Sequence, residues 1–368
     1  MIISVVFYIF VVCAAIQVLF YVSFLTVFSK FKTTVSSSEP LPISLIIFVK
    51  NGGEYLKKNL KNFINQEYSN FEILLVNNES SDNTDELLEE IVEKNKSIRV
   101  IDVKNNESFW GNKKYAYTLA IKAAKFEHLL FSEIYVRPKS KHWISEMSKL
   151  FTPEKTIILG YTKIKKESSF TNLLFRFDNV LLHLKSFVFT KFKTPFTASS
   201  YNYAFTKKEF FRVKGFINHI KIREGKEDLF IRDANEKGNV TFTISKQSFI
   251  ETLTNESFSK WYSTKRNSNV LKKNYTLKNR IFLNIFSLTK FLFYFLSILL
   301  FIYYPWHIIL AIFGFYLILQ YTVIDIATKA LKESLLIIFL PILEISLVLI
   351  QISLFFANLV SKPNTTWK

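Results

Sequence analysis

The chain has 368 residues, 49% of them hydrophobic, with 39 Phe and a formal net charge of +18. An aromatic share of 17% excludes a disordered chain, a lone cysteine at Cys13 excludes a disulfide scaffold, and 8 Gly with 8 Pro exclude a collagen-like or low-complexity one. The remaining classes combine much apolar side chain with an anionic partner: nucleic acid, a phosphate-bearing substrate or lipid headgroups.

Residues 1–28 contain no charged side chain, and about 20 apolar residues suffice to span a bilayer. A cleaved signal peptide would carry a basic start and a shorter apolar core. Neither is present, so an uncleaved anchor is expected, with Cys13 inside it as a small apolar residue. Ile43–Lys50 is a largely apolar, Ile-rich run suited to a buried parallel strand. Asn51-Gly52-Gly53 turns the chain into a helix over Tyr55–Gln66, with Leu56, Leu60, Phe63 and Ile64 on one face. Phe71–Val76 is the next strand. Ser80 to Thr84 supplies a turn and cap for an acidic helix, Asp85–Lys96. Ile98–Val103 is a third strand, Asn112–Lys125 a helix and His128–Ser132 a fourth strand. This alternation predicts a mostly parallel, doubly wound α/β sheet. Ligands of such sheets bind beyond the carboxyl ends of the strands, here Asn51, Asn77-Asn78 and Ser132-Glu133. No GxGxxG or GxxxxGK[ST] follows a strand, which argues against a dinucleotide site or P-loop. The five scattered His argue against zinc.

Beyond residue 281 the chain turns apolar again. Helices are expected at about 282–303 and 305–324, with Pro305 at a helix start where its missing N–H costs nothing. A third spans about 335–360 and contains Pro341 and Glu344. An acid at that depth is functional or paired, or else faces another helix or an interface. The expected division is thus an anchor at 1–28, a soluble domain at 29–281, three membrane helices at 282–360 and a short tail at 361–368. Lys30 and Lys32 after the first span, and Lys329 with Lys332 between the last two, place those sites in the cytoplasm. The N-terminus and the tail then face outward, and residues 29–281 face the cytoplasm. Charge is segregated: residues 51–100 hold 6 basic and 10 acidic side chains, 139–226 hold 18 and 6, and 260–280 hold 7 and none. The last cluster precedes a span, where each basic residue near anionic lipid contributes about 1 kcal/mol.

Ile43–Asn51, Leu56, Leu60 and Gln66, then Phe71–Thr84, then Gly111-Asn112-Lys113-Lys114 with Leu119-Ala120-Ile121, resemble in that order segments of a family-2 glycosyltransferase of the GT-A fold. Ser200–Phe205 resembles the Gly-Arg-Asn-Leu-Ala-Tyr element and includes Asn202. Glu227-Asp228-Leu229-Phe230 resembles the acidic acceptor-site motif, and Trp261–Ser268 stands where the Gln-x-x-Arg-Trp helix belongs. The anchor with C-terminal helices also fits the processive or lipid-linked bacterial members that build cell-envelope polysaccharide.

The resemblance implies a site and also departs from it. Asn78 replaces the aspartate that accepts from the uracil imide, and its amide still offers a carbonyl acceptor. Aligned through Arg137-Pro138 and Trp143, the metal-binding Asp-x-Asp reads Glu133-Ile134-Tyr135. Glu133 can give one oxygen to Mg²⁺ or Mn²⁺, which need few protein ligands when phosphates contribute. Tyr135 is a poor substitute because its phenol is neutral near pH 7. Arg266 lies one residue early in Thr264–Ser268, a turn of about 100° around a helix. Asp228 matches the general base for the acceptor hydroxyl, preceded by Glu227. Read without the resemblance, the pair is an exposed acidic turn before a helix at Leu229–Lys237. Asn51, Asn78, Lys113, Lys114, Asn202 and Arg266 are the implied nucleotide-sugar contacts, although helix-face lysines are commonly just solvated.

Two readings stay open. One is an inverting enzyme that moves a sugar from a UDP-linked donor to a lipid-linked or glycan acceptor at the cytoplasmic membrane. The other is a pseudo-glycosyltransferase that serves as a binding or scaffold module for a membrane protein partner in glycan assembly. Nucleic acid is set aside, because the spans and the missing nucleic-acid motifs oppose it.

Overall fold

The computed structural model describes residues 2–28, 40–95, 97–103, 113–236 and 238–363. Lys30, Lys32, Gly111, Asn112, Lys237 and residues 364–368 of the expected tail lie outside the described residues. In chain order the elements are α1 (Ile2–Leu25), β1 (Ile43–Val49), α2 (Gly53–Ile64), β2 (Phe71–Asn77), α3 (Thr84–Lys94), β3 (Ile98–Asp102), α4 (Lys113–Ala123) and β4 (His128–Glu133). Next come β5 (Val136–Pro138), α5 (Trp143–Ser148), β6 (Ile157–Leu159), β7 (Thr162–Lys163), α6 (Phe170–Lys191), β8 (Tyr203–Thr206), α7 (Lys207–Arg212), α8 (Lys226–Ala234), β9 (Val240–Phe242) and β10 (Ile250–Thr252). The helices α9 (Phe258–Leu271), α10 (Leu277–Tyr303), α11 (Trp306–Ala330) and α12 (Leu340–Val360) close the sequence.

The described residues form two compact units. One takes 40–166 and 189–257, and the other 2–28, 167–188 and 258–363. These units cut the chain differently from the expected soluble domain at 29–281, because parts of α6 and all of α9 pack with the apolar helices.

The first unit is built on a seven-stranded sheet of order β3-β2-β1-β4-β8-β6-β9. β1 pairs in parallel with β2 on one side and β4 on the other. Its seven residues are all buried, which is why they read as an unbroken apolar run. β8 runs antiparallel to both β4 and β6, while β6 and β9 are parallel, so the sheet is mostly parallel as expected. A second sheet, β5-β10-β7, has three short strands. On α2, Leu56, Leu60 and Phe63 are buried at the i, i+4, i+7 spacing.

The other unit contains four helical segments long and apolar enough to cross a membrane: Ile2–Phe28, Leu277–Tyr303, Trp306–Ala330 and Ser334–Val360. Four polar side chains meet in its interior. Tyr21 Oη of α1 donates to Glu344 Oε1 of α12 at 2.6 Å. Lys290 Nζ of α10 donates to Glu344 Oε2 at 2.8 Å, and Gln320 Nε2 of α11 donates to Glu344 Oε1 at 2.6 Å. The acid inside the last span is therefore paired, one of the two outcomes its position allowed. A second buried pair joins Arg176 of α6 to Glu333, with Nε donating to Oε2 at 2.9 Å.

Candidate active site

The carboxyl ends of β1, β2 and β4 define one edge of the parallel strands. After β1 the backbone turns through Asn51, whose φ of 51° lies in the left-handed region that Asn tolerates better than most residues. Asn51 Oδ1 accepts from the Ser81 N–H at 2.7 Å, and the Asn51 N–H donates to Ser80 Oγ at 2.9 Å. Gly52 follows with its N–H on Thr84 Oγ1 at 2.9 Å. A Cβ on Gly52 would meet Val49 at 2.8 Å and Ile134 at 3.0 Å, so this close approach requires glycine. These bonds fix the loop after β1 against the start of α3.

A cleft opens at this edge, lined by Lys50, Asn78, Lys113, Tyr117, Glu133 and Tyr135 among others. The Asn78 N–H donates to the Val49 carbonyl at 3.0 Å, continuing the strand pairing one residue past β2. Lys113, at the start of α4, reaches within 3.9 Å of Glu133 at the end of β4. The Tyr135 hydroxyl is held by the backbone of Lys50, donating to its carbonyl and accepting from its N–H at 3.2 Å. Burial raises the Tyr135 phenol above the ordinary tyrosine range, which keeps it neutral. An aromatic stack forms the floor: Phe48 on Tyr117 at 3.6 Å between ring centroids, and Tyr117 on Phe131 at 5.6 Å.

Behind Tyr117 stands Lys226, the first residue of α8. Its ammonium lies 3.9 Å from the Tyr117 ring centroid and pairs with Glu227. Burial pushes Lys226 well below the ordinary lysine range, while Glu133, Asp228 and Glu224 pull it back up and Lys113 pushes it further down. Asp228 follows in the same first turn of α8. The sequence reading missed Lys226. Its signal was a basic residue abutting an acidic motif in the first turn of a helix.

The implied contacts divide into two groups. Asn78, Lys113 and Glu133 line one cleft, and Asn51 clamps the loop beside it. The other three spend their polar groups elsewhere. Lys114 is buried and donates to the carbonyls of His219 and Ile222, each at 2.6 Å, so it is neither solvated nor aimed into the cleft. Asn202 is fully buried. It accepts from Trp143 Nε1 at 3.0 Å and donates to the carbonyls of Tyr161 and Ser248, each at 2.9 Å. Arg266 belongs to the helical unit, where it donates to Asn358 Oδ1 at 3.0 Å and the Ala357 carbonyl at 2.8 Å.

These donors do not fit a divalent cation well. Among the described residues Glu133 is the one carboxylate lining the cleft, and the Lys113 ammonium already faces it. Tyr135 offers a neutral, engaged phenol where a second carboxylate would bind. Among the described residues no cluster of three or more His, Cys, Asp or Glu side chains could hold a metal ion.

The sheet order and its flanking helices define a class by fold, the GT-A-like architecture. Mannosyltransferase PcManGT from Pyrobaculum calidifontis, solved with GDP-Man and Mn²⁺, superposes with a TM-score of 0.59 over 95% of this chain and 99% of its own. The two share 11% identity, so the likeness is one of fold. Residues 44–201 match the family model described as Glycosyl transferase family 2. Asp228 and Arg266 lie beyond the matched residues. An uncharacterized glycosyltransferase of Haemophilus influenzae is 37% identical over 67 residues, 18% of this chain and 21% of that protein. Glycosyltransferase GlyG of Streptococcus pneumoniae serotype 4 is 30% identical over 87 residues, 24% of this chain and 28% of that protein. The matches thus span about a fifth to about a quarter of these relatives' lengths.

Proposed function

We propose that the protein is a membrane-bound glycosyltransferase that moves a sugar from a UDP-linked donor to a lipid-linked or glycan acceptor, with inversion at the anomeric carbon. The supporting observation is that Asn78, Lys113 and Glu133, from three separate elements, share one cleft at the carboxyl edge of the sheet, within the residues that match family 2. In this reading the Asn78 carbonyl accepts from the uracil imide. The acceptor oxygen attacks the anomeric carbon, and the bond from that carbon to the diphosphate breaks. Asp228 takes the acceptor's proton, and UDP leaves with the electron pair. Positioning and charge stabilisation carry most of the rate in such a displacement. The domain works on the cytoplasmic face, between the first span and the three C-terminal ones.

The test is incubation of the purified full-length chain with a panel of UDP- and GDP-sugars and a membrane lipid extract, following nucleotide release and sugar incorporation. Incorporation from a UDP-sugar that disappears in Asp228→Asn supports the reading. Nucleotide binding without turnover of any donor overturns it. A second reading, a pseudo-glycosyltransferase scaffold, is favoured by one specific observation: the second metal-ligand position is a neutral phenol bonded to the Lys50 backbone. Binding without turnover is its expected result.

A further inference from the structure

We propose that this cleft holds the donor's diphosphate on lysine ammonium groups, chiefly Lys113 with Lys50 beside it, in place of a divalent cation such as the one bound in PcManGT. The inference rests on the nucleotide-sugar reading above and concerns how the same site works.

The first argument is the state of Glu133. A carboxylate that anchors a metal must face the cation with open lone pairs and no competing positive charge. Here Lys113 Nζ stands 3.9 Å away. A divalent ion at Glu133 would be repelled by that ammonium. The second argument is Tyr135. Its oxygen stands at the other metal-ligand position and is spent on the Lys50 backbone, donating to the carbonyl and accepting from the N–H.

The third argument is the charge that remains. Among the described residues, Lys50 and Lys113 line the cleft against the single carboxylate of Glu133. A diphosphate carries the complementary charge. An ammonium is a compact point charge with three donors, suited to phosphate oxygens. Substitution at the acidic position and cations nearby point to one solution. The positive charge is carried covalently on the chain, and the leaving UDP meets it without an added ion.

Calorimetric titration of the full-length chain with UDP decides the matter, run in EDTA and again in Mn²⁺. Affinity in EDTA is expected within about 3-fold of that in Mn²⁺, because the fixed ammonium groups supply the charge stabilisation. Lys113 is 62% exposed in its side chain, so Lys113→Gln folds normally. It is expected to weaken UDP about 10-fold or more in EDTA, and Lys113→Arg to restore most of that, as a lost charge-assisted bond would. Glu133→Gln gives opposite signs under the two alternatives. Removing the carboxylate that competes for the lysines tightens UDP binding, whereas removing a metal anchor abolishes it. UDP binding that requires Mn²⁺ and is lost in Glu133→Gln would overturn this inference and leave the transferase reading standing. No binding of any nucleoside diphosphate, with or without metal, would overturn both.

Discussion

Asp228 and Glu227 are adjacent in the sequence and lead different lives. Glu227 is buried against the Lys226 ammonium, whereas Asp228 is half-buried in the first turn of α8. Asp228→Asn keeps the shape and removes the basic oxygen. Transfer is expected to fall by about 10²- to 10⁴-fold, the contribution of a positioned general base, with UDP affinity changed by less than about 2-fold. Steady-state kinetics beside calorimetry checks the split. A pH effect arises nearby at His219. Burial, reinforced by the Lys114 ammonium and opposed by Asp233, holds it at a pKa of about 4, below the ordinary 6.5. The unfolded chain protonates this imidazole near 6.5 and the folded chain does not until about 4. Stability is therefore complete above pH 6.5 and is lost as pH falls through that window, by up to about 1.4 kcal/mol per pH unit for one proton. His183 is held at about 4 by burial in the same way and adds its own slope. Melting curves from pH 7 to pH 4 should show His219→Gln with a shallower loss than the parent. Which polar residues face a ligand was only partly legible. Asn78, Lys113 and Glu133 follow from strand ends and helix starts. Lys114 sits one residue from Lys113, and only α4's packing sends the two ammonium groups in different directions. Asn202 packs so closely on Gly160 that a Cβ there would meet it at 2.4 Å, a tertiary fact that no local pattern carries.

Strands and helices before residue 133 emerge from the sequence within one or two residues, because each is marked by an apolar run, an apolar stripe or a cap. β1 is a buried run, α2 an amphipathic stripe, and α3 starts with Asp85 and Glu86 facing its positive end. β2 runs one residue past the expected end because Asn77 still pairs with Asp102. The sequence reading assigned no element between His128–Ser132 and the helix around residue 229. The 22-residue α6 lies there, with Phe, Leu and Val distributed around its circumference and no stripe to mark it. Such a helix is buried on most sides, and its one arginine shows the consequence. Arg176 and Glu333 have side chains 2% and 1% exposed, so each depends on the other. Glu333→Gln is expected to destabilise by about 3–5 kcal/mol, since it leaves a guanidinium without its countercharge. Replacing both partners, as Arg176→Met with Glu333→Leu, should recover most of the loss for the same reason. Thermal melting of the three proteins in detergent measures the difference.

Across the whole molecule, apolar content and charge separate by segment. The four apolar helices were legible because a span of that length is hard to mistake; the division into compact units was not, since it depends on where α6 and α9 pack. The orientation proposed from Lys and Arg placement can be read with single cysteines, since Cys13 is the lone native thiol and is buried. In a Cys13→Ser background, a cysteine at position 256 should react with a membrane-impermeant maleimide only after permeabilisation. One at position 363 should react in intact cells. Reaction of both from the same side would refute the arrangement.

The polar cluster among α1, α10, α11 and α12 has a consequence for how the chain is made. Its hub, Glu344, is on the last of these helices to leave the ribosome, while Tyr21 is on the first. Until α12 is in place, Lys290 lacks the carboxylate it donates to, and an uncompensated charge within a span is costly. The first three helices are thus an unfinished intermediate whose insertion α12 completes. A chain stopped after α11 should be held by the insertion machinery or degraded, which makes assembly of the membrane unit a single late step.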